Sequence, residues 1–101
     1  MTISLRKLAE AVKQGSDESI IYEFDMANWG TPVSPTQALV DLTDVGSDAS
    51  SKFCTSVITA TGCTIATAAI ASLTVDHTYR LTIGAHYGSS IKSGYLEIEG
   101  E

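Results

Sequence analysis

Apolar residues recur at every second position in several separated runs of this chain, and a period of two is the mark of strands buried on one face. In "YRLTIGAHY", Tyr79, Leu81, Ile83 and Ala85 alternate with Arg80, Thr82, Gly84 and His86. Ile20, Tyr22, Phe24 and Met26 alternate in the same way with Ile21, Glu23 and Asp25. In "YLEIEGE", Leu96 and Ile98 point inward, with Tyr95, Glu97 and Glu99 outward. In "QALVDLTD" the more apolar set, Ala38, Val40 and Leu42, is assigned to the core, and Leu39, Asp41 and Thr43 to solvent.

Turn chemistry separates these runs. Gly30, Pro32 and Pro35 in "NWGTPVSP" forbid a continuous strand or helix there, and "DVGSDASS" is a polar loop. "FCTSVITATGCTIATAAI" reads as a hairpin about Thr61 and Gly62, facing Ala60 with Cys63, Ile58 with Ile65 and Cys54 with Ala69. A helix over "TIATAAIASL" is the competing reading; its alanines favour it and its threonines and isoleucines resist. About six or seven short strands with no βαβ rhythm predict an all-β chain folded as a β-sandwich. At 101 residues there is room for one such core.

The N-terminal stretch has a different period. "ISLRKLAEAVKQ", residues 3–14, places Leu5, Leu8, Ala9 and Val12 on one stripe at helical spacing, with Thr2 or Ser4 as N-cap and Gly15 as stop. The expectation is a short amphipathic helix followed by a hinge at "GSDES", so that residues 1–18 form an arm and 19–101 the sandwich. Three turns are marginal alone, so the stripe must dock on the body or on a partner. Charge follows the same division. Residues 1–15 hold Arg6, Lys7 and Lys13 against Glu10, while eleven of the twelve acids lie in the remainder, opposed by Lys52, Arg80 and Lys92. A basic arm on an acidic body fits copies of itself or an acidic neighbour, with Leu5, Leu8, Val12, Arg6 and Lys13 as contact residues. The acidic body would be repelled by nucleic-acid phosphates. No run approaches the ~20 apolar residues of a membrane span, no signal peptide is recognisable, and the two cysteines are expected as thiols in a reducing cytoplasm.

No constellation supplies chemistry. In the hairpin register Cys54 and Cys63 lie roughly 20 Å apart, too far to bridge, and read as small core residues. His77 and His86 have odd spacing and point to opposite faces of a strand, so they cannot share a metal. No G-x-S-x-G or other activating context surrounds a nucleophile. Asp41, Asp44 and Asp48 lack the rhythm and closing Glu of a calcium loop. The chain is therefore expected to be no enzyme and to hold no cofactor or metal. Trp29, Tyr87 and Tyr95 are candidate stacking platforms for a glycan, although Trp29 can equally cap one end of the core.

Two motifs carry a resemblance. Leu73 followed six positions later by Tyr79 resembles the tyrosine corner of immunoglobulin-like sandwiches, in which the hydroxyl bonds back to upstream backbone. "IIYEFDMANWGTP" is similar to the Y-x-F-D-x-x-x-W opening of small tailed-phage proteins of the fiber-tail adaptor, neck or decoration type, with Tyr22, Phe24, Asp25 and Trp29 at the matching positions. The match extends to Tyr95, Leu96 and Ile98 in the last strand. The resemblance covers about residues 19–101 and implies an immunoglobulin-like domain in a virion, joined to other virion proteins or copies of itself in a symmetric oligomer. It implies packing roles for Tyr22, Phe24, Trp29, Leu73 and Tyr79.

Overall fold

A computed structural model describes residues 6–101, with side chains from Leu8 onward. The regular structure of these residues is almost all β. The strands are β1 (Arg6–Lys7), β2 (Val12–Gln14), β3 (Ser19–Ile20), β4 (Glu23–Asp25), β5 (Val33–Asp41), β6 (Ser47–Asp48), β7 (Thr59–Thr61), β8 (Thr64–Ala66), β9 (Ile70–Ala71), β10 (Thr78–Tyr87) and β11 (Ser90–Gly100). One 3-10 turn, Ser50–Lys52, lies between β6 and β7.

The main sheet runs β1–β11–β10–β5–β6, with β2 joining β1 along the outer side of β11. Its spine is the β10–β11 hairpin, paired without interruption from Thr78↔Glu99 to Tyr87↔Ser90. The β-branched and aromatic residues of β10 favour this extended backbone, and their alternation buries one face. On the other flank β5 pairs antiparallel with β10, setting Leu39 opposite Leu81. The smaller pairings form a second layer. β3 and β4 follow one another along residues 19–25 and pair with β9 and β8, which follow one another along residues 64–71. β7 extends that layer beyond β8, and a bridge from Phe53 to Ile70 extends it beyond β9.

One buried cluster joins the layers: Leu39, Leu81, Ile83, Leu96 and Ile98 from the main sheet meet Phe24, Ile65 and Ile70 from the second. Each such side chain contributes about 1.5–3 kcal/mol relative to solvent exposure. Leu73 and Tyr79 are each 1 % exposed, and the Tyr79 hydroxyl accepts a hydrogen bond from the Thr74 backbone N–H at 2.9 Å. The corner bond that the sequence led us to expect is therefore made. Gly100 closes the same corner, since a Cβ there would overlap the Thr74 carbonyl.

The structure corrects four sequence-based expectations. The helix over residues 3–14 is not formed in its described part, where residues 6–7 and 12–14 are strands parallel to β11. Helical spacing of Leu8 and Val12 also suits an edge strand with an irregularity. Such an irregularity is present: the partner of Arg6 is Gly94 but that of Val12 is Ile98, so the N-terminal segment carries excess residues between them. The phase of β5 is the reverse of that expected, with Leu39 and Asp41 buried and Ala38 exposed. The hairpin exists, but its turn is Gly62–Cys63, and its tip pairs Ala60 with Ile65. Gly62, at φ 59, takes the first central position, where the two-residue turn needs a positive φ. The expected facing of Cys54 and Ala69 survives at the base, with the Cys54 N–H bonded to the Ala69 carbonyl at 2.8 Å. Finally, Cys54 is exposed and Cys63 half-buried, so neither thiol is a core residue.

Candidate interaction surface

Of the residues expected to bind a partner, Leu5 lies outside the described residues, and for Arg6 only the backbone, paired with Gly94, is described. Leu8 and Val12 are half-buried and pack against the core of their own chain. The Leu8 N–H donates to the Tyr95 carbonyl at 2.8 Å. Lys13 is exposed, in register with Glu99 of β11. Leu8 and Val12 thus help to seal one side of the sandwich.

Gln14 fixes this edge to the second layer, and nothing in the local sequence marks it. It is fully buried, its amide donates from Nε2 to the carbonyls of Ile70 at 2.6 Å and Glu18 at 3.1 Å, and its Oε1 accepts from the Tyr22 hydroxyl at 2.7 Å. A buried amide satisfied at both ends joins three strand segments more specifically than an apolar side chain would. Burial first, and the negative charge of Glu18 second, push the Tyr22 phenol up to about 12.

Two of the three candidate aromatic platforms meet at the end of the molecule where β10 turns into β11. Trp29 and Tyr87 lie edge to face, ring centroids 5.7 Å apart, and the Lys92 ammonium is 5.7 Å from the Trp29 ring. Trp29 is half-buried against the core, as its capping role requires. Tyr87 is buried, and burial raises the pKa of its phenol. Tyr95 is elsewhere, on the outer face of the main sheet, where the Arg80 guanidinium covers its ring at 4.5 Å and reaches Glu97 at 3.4 Å. The three aromatics therefore do not make one stacking surface.

At the opposite end, His77 Nδ1 lies 2.6 Å from Asp41 Oδ2. The other Asp41 oxygen accepts the N–H groups of Thr43 and Asp44, tightening the loop after β5. Burial opposes ionisation of this carboxyl, but the His77 hydrogen bond, the two backbone N–H groups and the nearby imidazole outweigh it and hold the pKa below the ordinary Asp value. Asp41 was expected in solvent; it is buried because it serves as the hub of this corner. Asp44 and Asp48 are likewise occupied with loop geometry, accepting from Ser47 Oγ and from Ser50 N and Oγ. Among the described residues no hydroxyl or thiol is hydrogen-bonded to the His77 ring, and His86 is exposed on β10.

Two open depressions mark the surface. One, of about 420 Å³, is lined by Gln37, Ser50, Phe53 and Ser56; the other, of about 360 Å³, is apolar and lined by Ile21, Val57 and Ala66 beside Glu23. Among the described residues no group of three or more His, Cys, Asp or Glu side chains could hold a metal ion, and no helix is long and apolar enough to cross a membrane. No family model and no curated protein matches the chain. What the molecule offers is a braced β body with distinct surfaces at its two ends.

Proposed function

We propose that this chain is a non-enzymatic structural protein of a tailed-phage virion, an immunoglobulin-like domain that works by protein–protein assembly. The observation that carries the reading is the corner at the start of β10. The Thr74–Tyr79 bond and the buried Leu73 occur just where a strand returns from the second layer to the first, as in the immunoglobulin pattern. Strand order supports it further: one layer places β10 between β5 and β11, and in the other β8 lies between β4 and β7 while β9 pairs with β3. These are the neighbours expected of strands C, F and G and of strands B, E and D. The Y-x-F-D-x-x-x-W motif supports the likeness to the phage proteins, and the burial of Phe24 and the packing of Trp29 against the core suit the roles that the likeness implies.

The bracing of the loops suits a building block. Carboxylates that would otherwise present a reactive or metal-binding face are engaged by neighbouring N–H and hydroxyl groups. The reading places the protein in the virion after synthesis in the host cytoplasm. Its test is fractionation of a lysate from the phage that encodes it: the chain is expected to band with intact particles in a density gradient. Recovery only in the soluble fraction, with the particles free of it, would overturn the reading.

A further inference from the structure

The segment that borders β11 is sparsely paired in its backbone and closely fitted in its side chains. β10 pairs with β11 without a break from Thr78 to Tyr87, whereas the pairing of residues 6–14 is interrupted. Between Lys7↔Tyr95 and Val12↔Ile98, residues 8–11 of the segment stand against residues 96–97 of β11, and Ala9, Glu10 and Ala11 are exposed. An outer strand held by few backbone bonds, in the parallel arrangement, opens at lower cost than the centre of the sheet.

The side chains of the segment nevertheless fit one groove. Leu8 and Val12 pack against the core, and the Gln14 amide is matched to the Ile70 carbonyl and the Tyr22 hydroxyl. Lys13 stands in register with Glu99. All of these partners lie beyond residue 18, so segment and groove are separate parts of the chain. The link between them is the turn of residues 15–18. It is closed by the Glu18 N–H on the Gly15 carbonyl and tied to the end of the chain by the Ser16 N–H on the Glu101 carbonyl. Ser16, Asp17 and Glu18 are exposed, so water replaces these bonds when the turn opens.

We propose that residues 6–14 are exchanged between copies of this chain: the turn opens, and the segment of one copy lies along β11 of a second, which returns its own. The groove identifies the occupant, because what fills it in the closed chain is this same segment. Exchange keeps the Leu8, Val12 and Gln14 contacts and changes only the turn. The exchange is reciprocal and gives a two-fold dimer. A short link holds the segment near its own groove at an effective concentration in the millimolar range, so exchange competes when copies are packed about that densely. This extends the assembly reading above but is tested on the purified chain without particles, so either can fail while the other stands.

In a Cys54→Ser, Cys63→Ser background, Lys13→Cys and Glu99→Cys proteins are mixed in urea, refolded together at about 1 mM and oxidised mildly. Both positions are exposed, so the fold is retained, which circular dichroism checks. In a closed chain neither new thiol has a partner. In the exchanged dimer they face each other on adjacent strands about 5 Å apart, within reach of a disulfide. The mixed disulfide is expected to exceed severalfold that of a control pair, Lys13→Cys with Ile91→Cys, whose second thiol lies at the other end of β11. Removing residues 15–18 leaves no turn to close the chain, and the shortened protein is expected to sediment as a dimer at micromolar concentration, where the full chain is a monomer. A disulfide yield no greater than the control, or a folded monomer of the shortened chain, would overturn the proposal. If the shortened chain does not fold, the disulfide yields alone decide.

Discussion

The Tyr79 hydroxyl holds the Thr74 backbone N–H at 2.9 Å, five residues upstream, and so locks the passage from the second layer into β10. Tyr79→Phe keeps the ring and removes only this acceptor. Stability is expected to fall by about 1–2 kcal/mol, because a partly buried N–H loses its partner. A urea titration with an unchanged m-value and a lower midpoint is the measurement that checks it.

Gln14 joins β2 to Ile70 and Tyr22 across the side of the sandwich. Gln14→Ala strands the Tyr22 hydroxyl and the Ile70 carbonyl and is expected to lower stability by about 2–3 kcal/mol. Removing residues 1–14 is expected to destabilise the fold further and to cause aggregation, since it also takes Leu8 and Val12 off the core and opens β11 as an unpaired edge. Thermal melts with light scattering distinguish these effects.

Asp41 has its pKa held below that of the unfolded chain, about 3.9. An acid of this kind contributes stability at every pH above the unfolded value and loses it as pH falls through the folded value. The difference in Tm between the native chain and Asp41→Asn is therefore expected to be constant near neutrality and to shrink below about pH 4. At pH 7 the substitution is expected to cost about 1–3 kcal/mol.

Tyr22, raised to about 12, is the opposite case: the folded chain keeps a proton that the unfolded chain gives up near 10. Its contribution is present below pH 10 and is lost as the pH climbs above that value. Absorbance titration of the four tyrosines is expected to show one phenol ionising last, and Tyr22→Phe to remove that step.

β10, β11 and β4 were legible in the sequence because their apolar residues favour one phase only. β5 was not: Ala38, Val40 and Leu42 outnumber Leu39, yet Leu39 faces Leu81, and the buried neighbour on its side is a charged residue whose partner, His77, lies 36 positions away. No local pattern records that pair. The N-terminal strands were hidden for a related reason, because a parallel pairing with β11 is set by the far end of the chain while Leu8 and Val12 fit either period. The Thr74–Tyr79 bond was readable because it spans five residues. Of the surfaces, the aromatic set was visible as a composition, but the separation of Tyr95 from Trp29 and Tyr87 depends on which strand carries each.

The central claim is that the chain is a fixed part of a particle, and counting it there tests that claim most directly. Isotope-dilution mass spectrometry on gradient-purified particles, normalised to the major shell protein, is expected to return the same copy number in every preparation, as a symmetric assembly demands. A copy number that varies between preparations or falls to zero on washing would contradict it.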